Sequence, residues 1–145
     1  MSDRIRPTAL AVLFNTDRSQ HAVARFSPTA ENPDGFHRLI GGGIDFGETS
    51  DEAIVRELRE ELGVQLRDRL LVDVIEEVFA VDGRPGHIIA FVYTGSIPDA
   101  HIGPAGAMFS DNGEPMRVEW RPVDDDQSPI PLYPAGVSAT IRRCA

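Results

Sequence analysis

The sequence has no lysine: its 14 basic residues are all arginine. Guanidinium groups suit bidentate contacts to phosphate, but a bias running through the whole chain reads as compositional and assigns no site. Cysteine is nearly missing too. The one thiol, Cys144, excludes an intrachain disulfide and a cysteine metal cluster, and it fits a reducing compartment. No stretch approaches the roughly 18 apolar residues that suggest a membrane span. The opening "MSDRIRPTALAVLF" holds a short apolar run broken by Pro7, without the hydrophobic segment and cleavage site of a signal peptide. A soluble, cytoplasmic protein is expected. Positive charge is in deficit, with 23 acidic against 14 basic residues and a net charge of -9. That balance argues against nucleic acid or an anionic membrane as a partner, so a phosphorylated ligand has to be met by local features.

What is present is the length of one compact domain, 145 residues, and 41% hydrophobic content, enough for an ordinary core. A single domain over 1–145 is expected. "TALAVLF" (8–14) and "HAVARF" (21–26) read as strands joined in a hairpin by the polar turn "NTDRSQ". Residues 27–35 form a loop by their Pro, Asn, Asp and Gly, and "FHRLI" (36–40) is a short strand leading into glycines. Residues 50–62 carry helix signals: Ser50 or Asp51 as cap, an acidic first turn, and Gly63 as stop. Ile54, Leu58 and Leu62 give that helix a buried face. "LLVDVIEEVFAV" and "HIIAFVYTG" flank "DGRPG" as a long hairpin. "MRVEWRPV" (116–123) is another strand, 124–127 a solvated acidic loop, and "PAGVSATIRR" a weak terminal helix opening with Pro134.

The stretch "GGGIDFGETSDEAIVRELREELGV" (41–64) concentrates the chemistry. On a helix, Glu57, Glu60 and Glu61 project together while Ile54, Leu58 and Leu62 point inward. Their mutual repulsion has two accounts: a solvated acidic face, or a missing cation. The glycines favour the cation, because Gly41, Gly42 and Gly43 let backbone carbonyls approach a ligand, and hard cations such as Mg²⁺ take oxygen ligands. Residues 42–49 imitate a phosphate-binding P-loop, but Glu48 stands where that motif needs lysine, so that reading fails.

These residues resemble the Nudix box, G-x5-E-x7-R-E-U-x-E-E-x-G-U with U a bulky aliphatic residue. Gly42, Glu48, Arg56, Glu57, Leu58, Glu60, Glu61, Gly63 and Val64 fill every specified position. The order of flanking elements is also similar to the family's fold, an α/β/α sandwich around a mixed β-sheet, of α/β class. The resemblance implies a hydrolase that uses Mg²⁺ or Mn²⁺ to cleave a diphosphate linkage in a nucleoside diphosphate joined to another moiety. It implies Glu57, Glu60, Glu61 and the Gly41 carbonyl as metal ligands, and Arg56 paired with Glu48 to hold Glu57 in place. Glu57 and Glu114 are candidates for the base that takes the water proton, with Glu119 or Glu77 as substitutes for Glu114. Arg25, Arg38 and His87 are candidate phosphate contacts, and Phe36 and Tyr93 candidate stacking partners for a base, although strand aromatics are more often core. Ile40 replaces the proline that many relatives have before the glycines. The rival of another class is a non-catalytic nucleotide or ADP-ribose sensor, whose mark would be lost box carboxylates, and none is lost. Family members often dimerise, so a homodimer is admitted.

Overall fold

The computed structural model describes residues 3–145, the side chain of Asp99 excepted. In chain order the elements are β1 (Arg6–Val12), β2 (Gln20–Phe26), β3 (Phe36–Arg38), β4 (Ile40–Gly43), α1 (Ser50–Leu62), β5 (Arg67–Val81), β6 (Arg84–Ser96), β7 (Ala107–Asp111), β8 (Glu114–Pro122), β9 (Leu132–Tyr133) and α2 (Val137–Cys144). The strands divide between two sheets rather than one. The first has the order β4-β1-β6-β5 and the second β7-β8-β2-β3-β9. The first is mixed, with β1 antiparallel to β4 and parallel to β6. The α/β class is as expected.

The expected hairpin between residues 8–14 and 21–26 does not form. Among the described residues the two segments meet at the Phe14–His21 bridge and at the bonds from the Ala22 N–H to the Leu13 carbonyl and from the Asn15 N–H to the Gln20 carbonyl, then enter different sheets. The cause lies in β1, whose last five residues are all buried. Alternate residues of a strand face opposite sides, and here each side has its own core. Ala9 and Ala11 join Ala53, Ile54 and Leu58 of α1, whereas Leu10 and Val12 join Val137 and Ile141 of α2. A strand buried on both faces is a central strand, and β1 lies between β4 and β6. The expected strand at 36–40 splits likewise, with β3 in the second sheet, β4 in the first, and the fully buried Leu39 between them.

Helix α1 occupies the expected residues, but its cap is Thr49. The Thr49 hydroxyl accepts the Glu52 N–H at 3.1 Å and the Glu52 carboxylate accepts the Thr49 N–H at 3.0 Å, a reciprocal capping box. Ser50 and Asp51 are engaged elsewhere, by the Tyr93 hydroxyl and by Arg69. Gly63 ends the helix in the left-handed conformation at φ 66°, which costs glycine little. The long hairpin is present as β5 and β6. Residues 107–111 form β7, joined to β8 by an Asn112-Gly113 turn with φ of 51° and 85°. The acidic run 124–127 is only partly solvated, because Asp125 is buried against Arg121 and Ser138. No helix among the described residues is long and apolar enough to cross a membrane.

Candidate active site

Helix α1 packs against β1, β4 and β7, which lays the Glu57 carboxylate directly on the backbone of β4. A Cβ on Gly42 would stand 2.7 Å from that carboxyl carbon, so glycine is required there for Glu57 to reach the strand. Arg56 fixes the arrangement. Its Nε and Nη2 donate to the two Glu48 oxygens at 2.7 and 2.8 Å, Nη1 to Glu57 Oε1 at 3.0 Å and Glu60 Oε2 at 3.2 Å, and Nη2 also to the Gly43 carbonyl at 2.9 Å. Hydrogen bonds from Arg56, and then from the Asp45 N–H, hold the Glu48 carboxyl at about 2. Its hydrogen bonds to Glu48 and then to Glu57 push the Arg56 guanidinium further above its usual range.

Glu61 is the outlier of the site. It is 5% exposed, and its Oε2 has no hydrogen-bond partner. Burial pushes its carboxyl up to about 9, helped by a hydrogen bond with Glu57 and the nearby charge of Asp111, and opposed by Arg38. Glu60 points outward, with a side chain 57% exposed and tied to Arg56. The three box carboxylates therefore do not stand as one cage. Among the described residues no group of three His, Cys, Asp or Glu side chains is arranged to hold a metal. The donor chemistry nevertheless fits a hard divalent cation: an orphaned, buried carboxylate oxygen on Glu61 lies beside a second carboxyl, Glu57, and only oxygen donors are offered. The Gly41 carbonyl accepts from Arg38 Nη2 at 3.4 Å, so a cation of the protein's own reaches that corner.

The other expected site residues are scattered. Glu114 opens β8, exposed, across from Asp111. Glu119 accepts from Arg117 and pairs with His37. Arg25 donates to the Asp34 carbonyl and lies 3.6 Å from Glu119, and His87 pairs with Glu76 at 2.9 Å. Neither Arg25 nor His87 contacts the box. Tyr93 is core, bonded to Ser50. Phe36, by contrast, lines a cavity of about 200 Å³ that also touches Gly42, Gly43, Arg38 and the buried Glu77. Sequence reasoning missed Asp111, whose signal was the Asn-Gly hairpin turn after it. It also missed Thr8, Asn32 and Tyr133 in the cavity wall, for which spacing gives no signal.

A family model for the NUDIX domain matches residues 4–137, and the chain belongs to that family. Among solved structures, the chain is similar to a MutT NUDIX hydrolase from Burkholderia pseudomallei, at a TM-score of 0.64 and 22% identity, with 99% of this chain and 100% of that one covered. It is also similar to a MutT protein from Methanosarcina mazei Go1, at a TM-score of 0.62 and 18% identity, with 99% and 94% covered. These likenesses establish the fold. A curated relative, the nucleoside triphosphatase NudI of Escherichia coli O139:H28, is 48% identical over 46 residues, which are 32% of this chain and 30% of that protein.

Proposed function

We propose that residues 1–145 form one Nudix unit, a metal-dependent pyrophosphohydrolase that cleaves the diphosphate linkage of a nucleotide-like small molecule. The observation that carries this reading is the Glu57–Glu61 corner: one carboxyl pressed on the Gly42 backbone, the other buried with an unpartnered oxygen. Glu57, Glu61 and the Gly41 carbonyl would hold Mg²⁺ or Mn²⁺, and Glu60 would join once released from Arg56. When bound, the cation neutralises diphosphate oxygens and activates water for in-line attack. The chain's own residues do the positioning. Arg56, anchored on Glu48 and the Gly43 carbonyl, fixes where Glu57 can stand, an outer support of the kind that orients metal ligands. Arg38, which lines the cavity and donates to the Gly41 carbonyl, would receive a substrate phosphate. Glu57 and Glu114 are the candidate bases, joined by Asp111, the later carboxylate whose charge reaches Glu61. A cytoplasmic setting and a homodimer belong to the same proposal.

The test is a hydrolysis screen over nucleoside triphosphates, dinucleoside polyphosphates, ADP-ribose, nucleotide sugars and 5'-triphosphate RNA with Mg²⁺ or Mn²⁺. The nucleoside triphosphates enter partly through the NudI match. At least one small-molecule diphosphate should be cleaved. Chelator should abolish turnover, and Glu57→Gln should cost more than the roughly 10–100-fold typical of an outer-shell loss. Activity that survives excess chelator, or a Glu57→Gln variant at the wild-type rate, overturns the proposal.

A further inference from the structure

The cavity beside the box lies on the face of the first sheet opposite α1, between that sheet and the rim of the second. Two polar side chains in its wall are more than nine-tenths buried. Thr8 is 8% exposed and its Oγ1 has no hydrogen-bond partner. Glu77 is also 8% exposed, and its Oε2 accepts the Ala135 N–H at 2.5 Å. Both face the cavity because Thr8 pairs with Ala90, Ala90 pairs with Ile75, and Glu77 is two residues further along the same strand. Around them the walls are flat and aromatic. Phe26 and Phe36 stack at 4.9 Å, and Tyr133 meets Phe36 edge-on at 5.5 Å.

Size and position say what the cavity takes. At about 200 Å³ it is smaller than the roughly 300–1,000 Å³ of a pocket for a whole drug-sized ligand, so it accommodates one ring system. One end is lined by Gly42 and Gly43, where the box begins, so a ring seated here leaves its phosphates beside Glu57. A buried hydroxyl without a partner costs free energy until a ligand satisfies it. Burial pushes the Glu77 carboxyl up, against the pull of the Ala135 N–H; ionised, it leaves the oxygen not used by Ala135 to accept an N–H, whereas a proton there makes that oxygen a donor. A ring carbonyl at that place would set oxygen against oxygen unless Glu77 kept its proton.

We propose that Glu77 determines which base is hydrolysed: its Oε1 accepts an N–H from an exocyclic amine of a nucleobase held between the aromatic walls, with the Thr8 hydroxyl as a second contact. The site then prefers a ring bearing that amine over its counterpart with a carbonyl in the same place. This inference rests on the hydrolase reading above, and it deepens it. Glu77 also braces the 133–135 turn through Ala135, and a bracing role alone would not sort bases.

Glu77→Gln separates the two. The Ala135 N–H fixes the amide with its oxygen toward the backbone, which turns the NH₂ toward the cavity, where it donates to a carbonyl. The experiment is steady-state kinetics with Mg²⁺ on two matched pairs, ATP against ITP and CTP against UTP, alongside calorimetric binding of the corresponding monophosphates. Wild type should favour the amine-bearing member of at least one pair by at least tenfold in kcat/KM, mostly through KM, and Glu77→Gln should abolish or reverse that ratio. A wild-type ratio within twofold for both pairs, or a preference unchanged in the variant, overturns the proposal. Where Glu77→Gln fails to fold, Glu77→Asp, which withdraws the carboxyl by one methylene, carries the same test: a collapsed preference supports it and a retained one overturns it. Monophosphate binding reads the ring site without turnover. A base preference in binding without hydrolysis would leave this inference standing and remove the hydrolase reading. Hydrolysis with no base preference would do the reverse.

Discussion

Arg56 and Arg121 each gather several acceptors, one at the rim of α1 and the other inside the second sheet. Arg56 is 27% exposed, and its partners Gly43, Glu48, Glu57 and Glu60 all lie within 13 residues of it. Arg121 is 5% exposed and spends its guanidinium on Asp125, the Ile130 carbonyl and His37, the last of them 84 residues away. Asp125 in turn accepts from Ser138 of α2. The first cluster ends in a carboxyl, Glu61, with an oxygen to spare, whereas the second closes on itself. The difference separates a site from a strut: open valence beside a groove implies a ligand, and a fully paired interior charge implies that the surrounding segments are held by it.

Arg121→Leu should break this comparison most forcefully. Removing Arg121 leaves the Asp125 carboxylate to Ser138 and the more exposed Arg142 alone, and breaking a buried pair costs about 3–5 kcal/mol. Denaturant unfolding should register that loss, while turnover per folded molecule stays near wild type. Arg56→Gln should do the opposite. It frees Glu57 from its support, and a loss of roughly 10–100-fold in turnover is expected, with a melting temperature close to wild type because the ion pairs around it are partly exposed. Equal stability losses in the two variants would erase the distinction between site and strut.

The smallest effect concerns His21, which pairs across the strands with Arg121. Burial first, then the Arg121 charge, lowers its imidazole from the usual 6.5 to about 4. The unfolded chain therefore binds a proton that the folded protein refuses between those values. The stability is fully present above pH 6.5 and is lost as pH falls toward 4. In His21→Phe, unfolding free energies measured from pH 7 to pH 4 should fall less steeply than in wild type. Parallel slopes would remove His21 from the acid response.

The legibility of the molecule follows the same division. Helix α1, its glycine stop and the ladder of box residues could be read because their partners are neighbours in sequence and the helical period places them. The capping residue was off by one because Ser50 and Asp51 are drawn away by Tyr93 and Arg69, contacts that only the fold creates. The hairpin expected from β1 and β2 failed for a related reason. Turn chemistry between two strands does not reveal that both faces of β1 are buried, and burial decided its neighbours. Phe36, Arg38 and Glu77 could be named singly, but their meeting in one cavity with Thr8 and Tyr133 was out of reach, since these residues come from four strands in two sheets.

Thermal melts of wild type and Glu61→Gln in chelator and in Mn²⁺ test most directly whether the Glu57–Glu61 corner holds a cation. A cation that binds only the folded state stabilises it by about 2.7 kcal/mol at a hundred times Kd. Wild type should therefore melt clearly higher in saturating Mn²⁺ than in chelator. Glu61→Gln, which cannot ionise to hold a cation, should gain little from the metal and be at least as stable as wild type without it. Equal metal-induced shifts in the two proteins would show that Glu61 does not hold the cation, and would contradict the account.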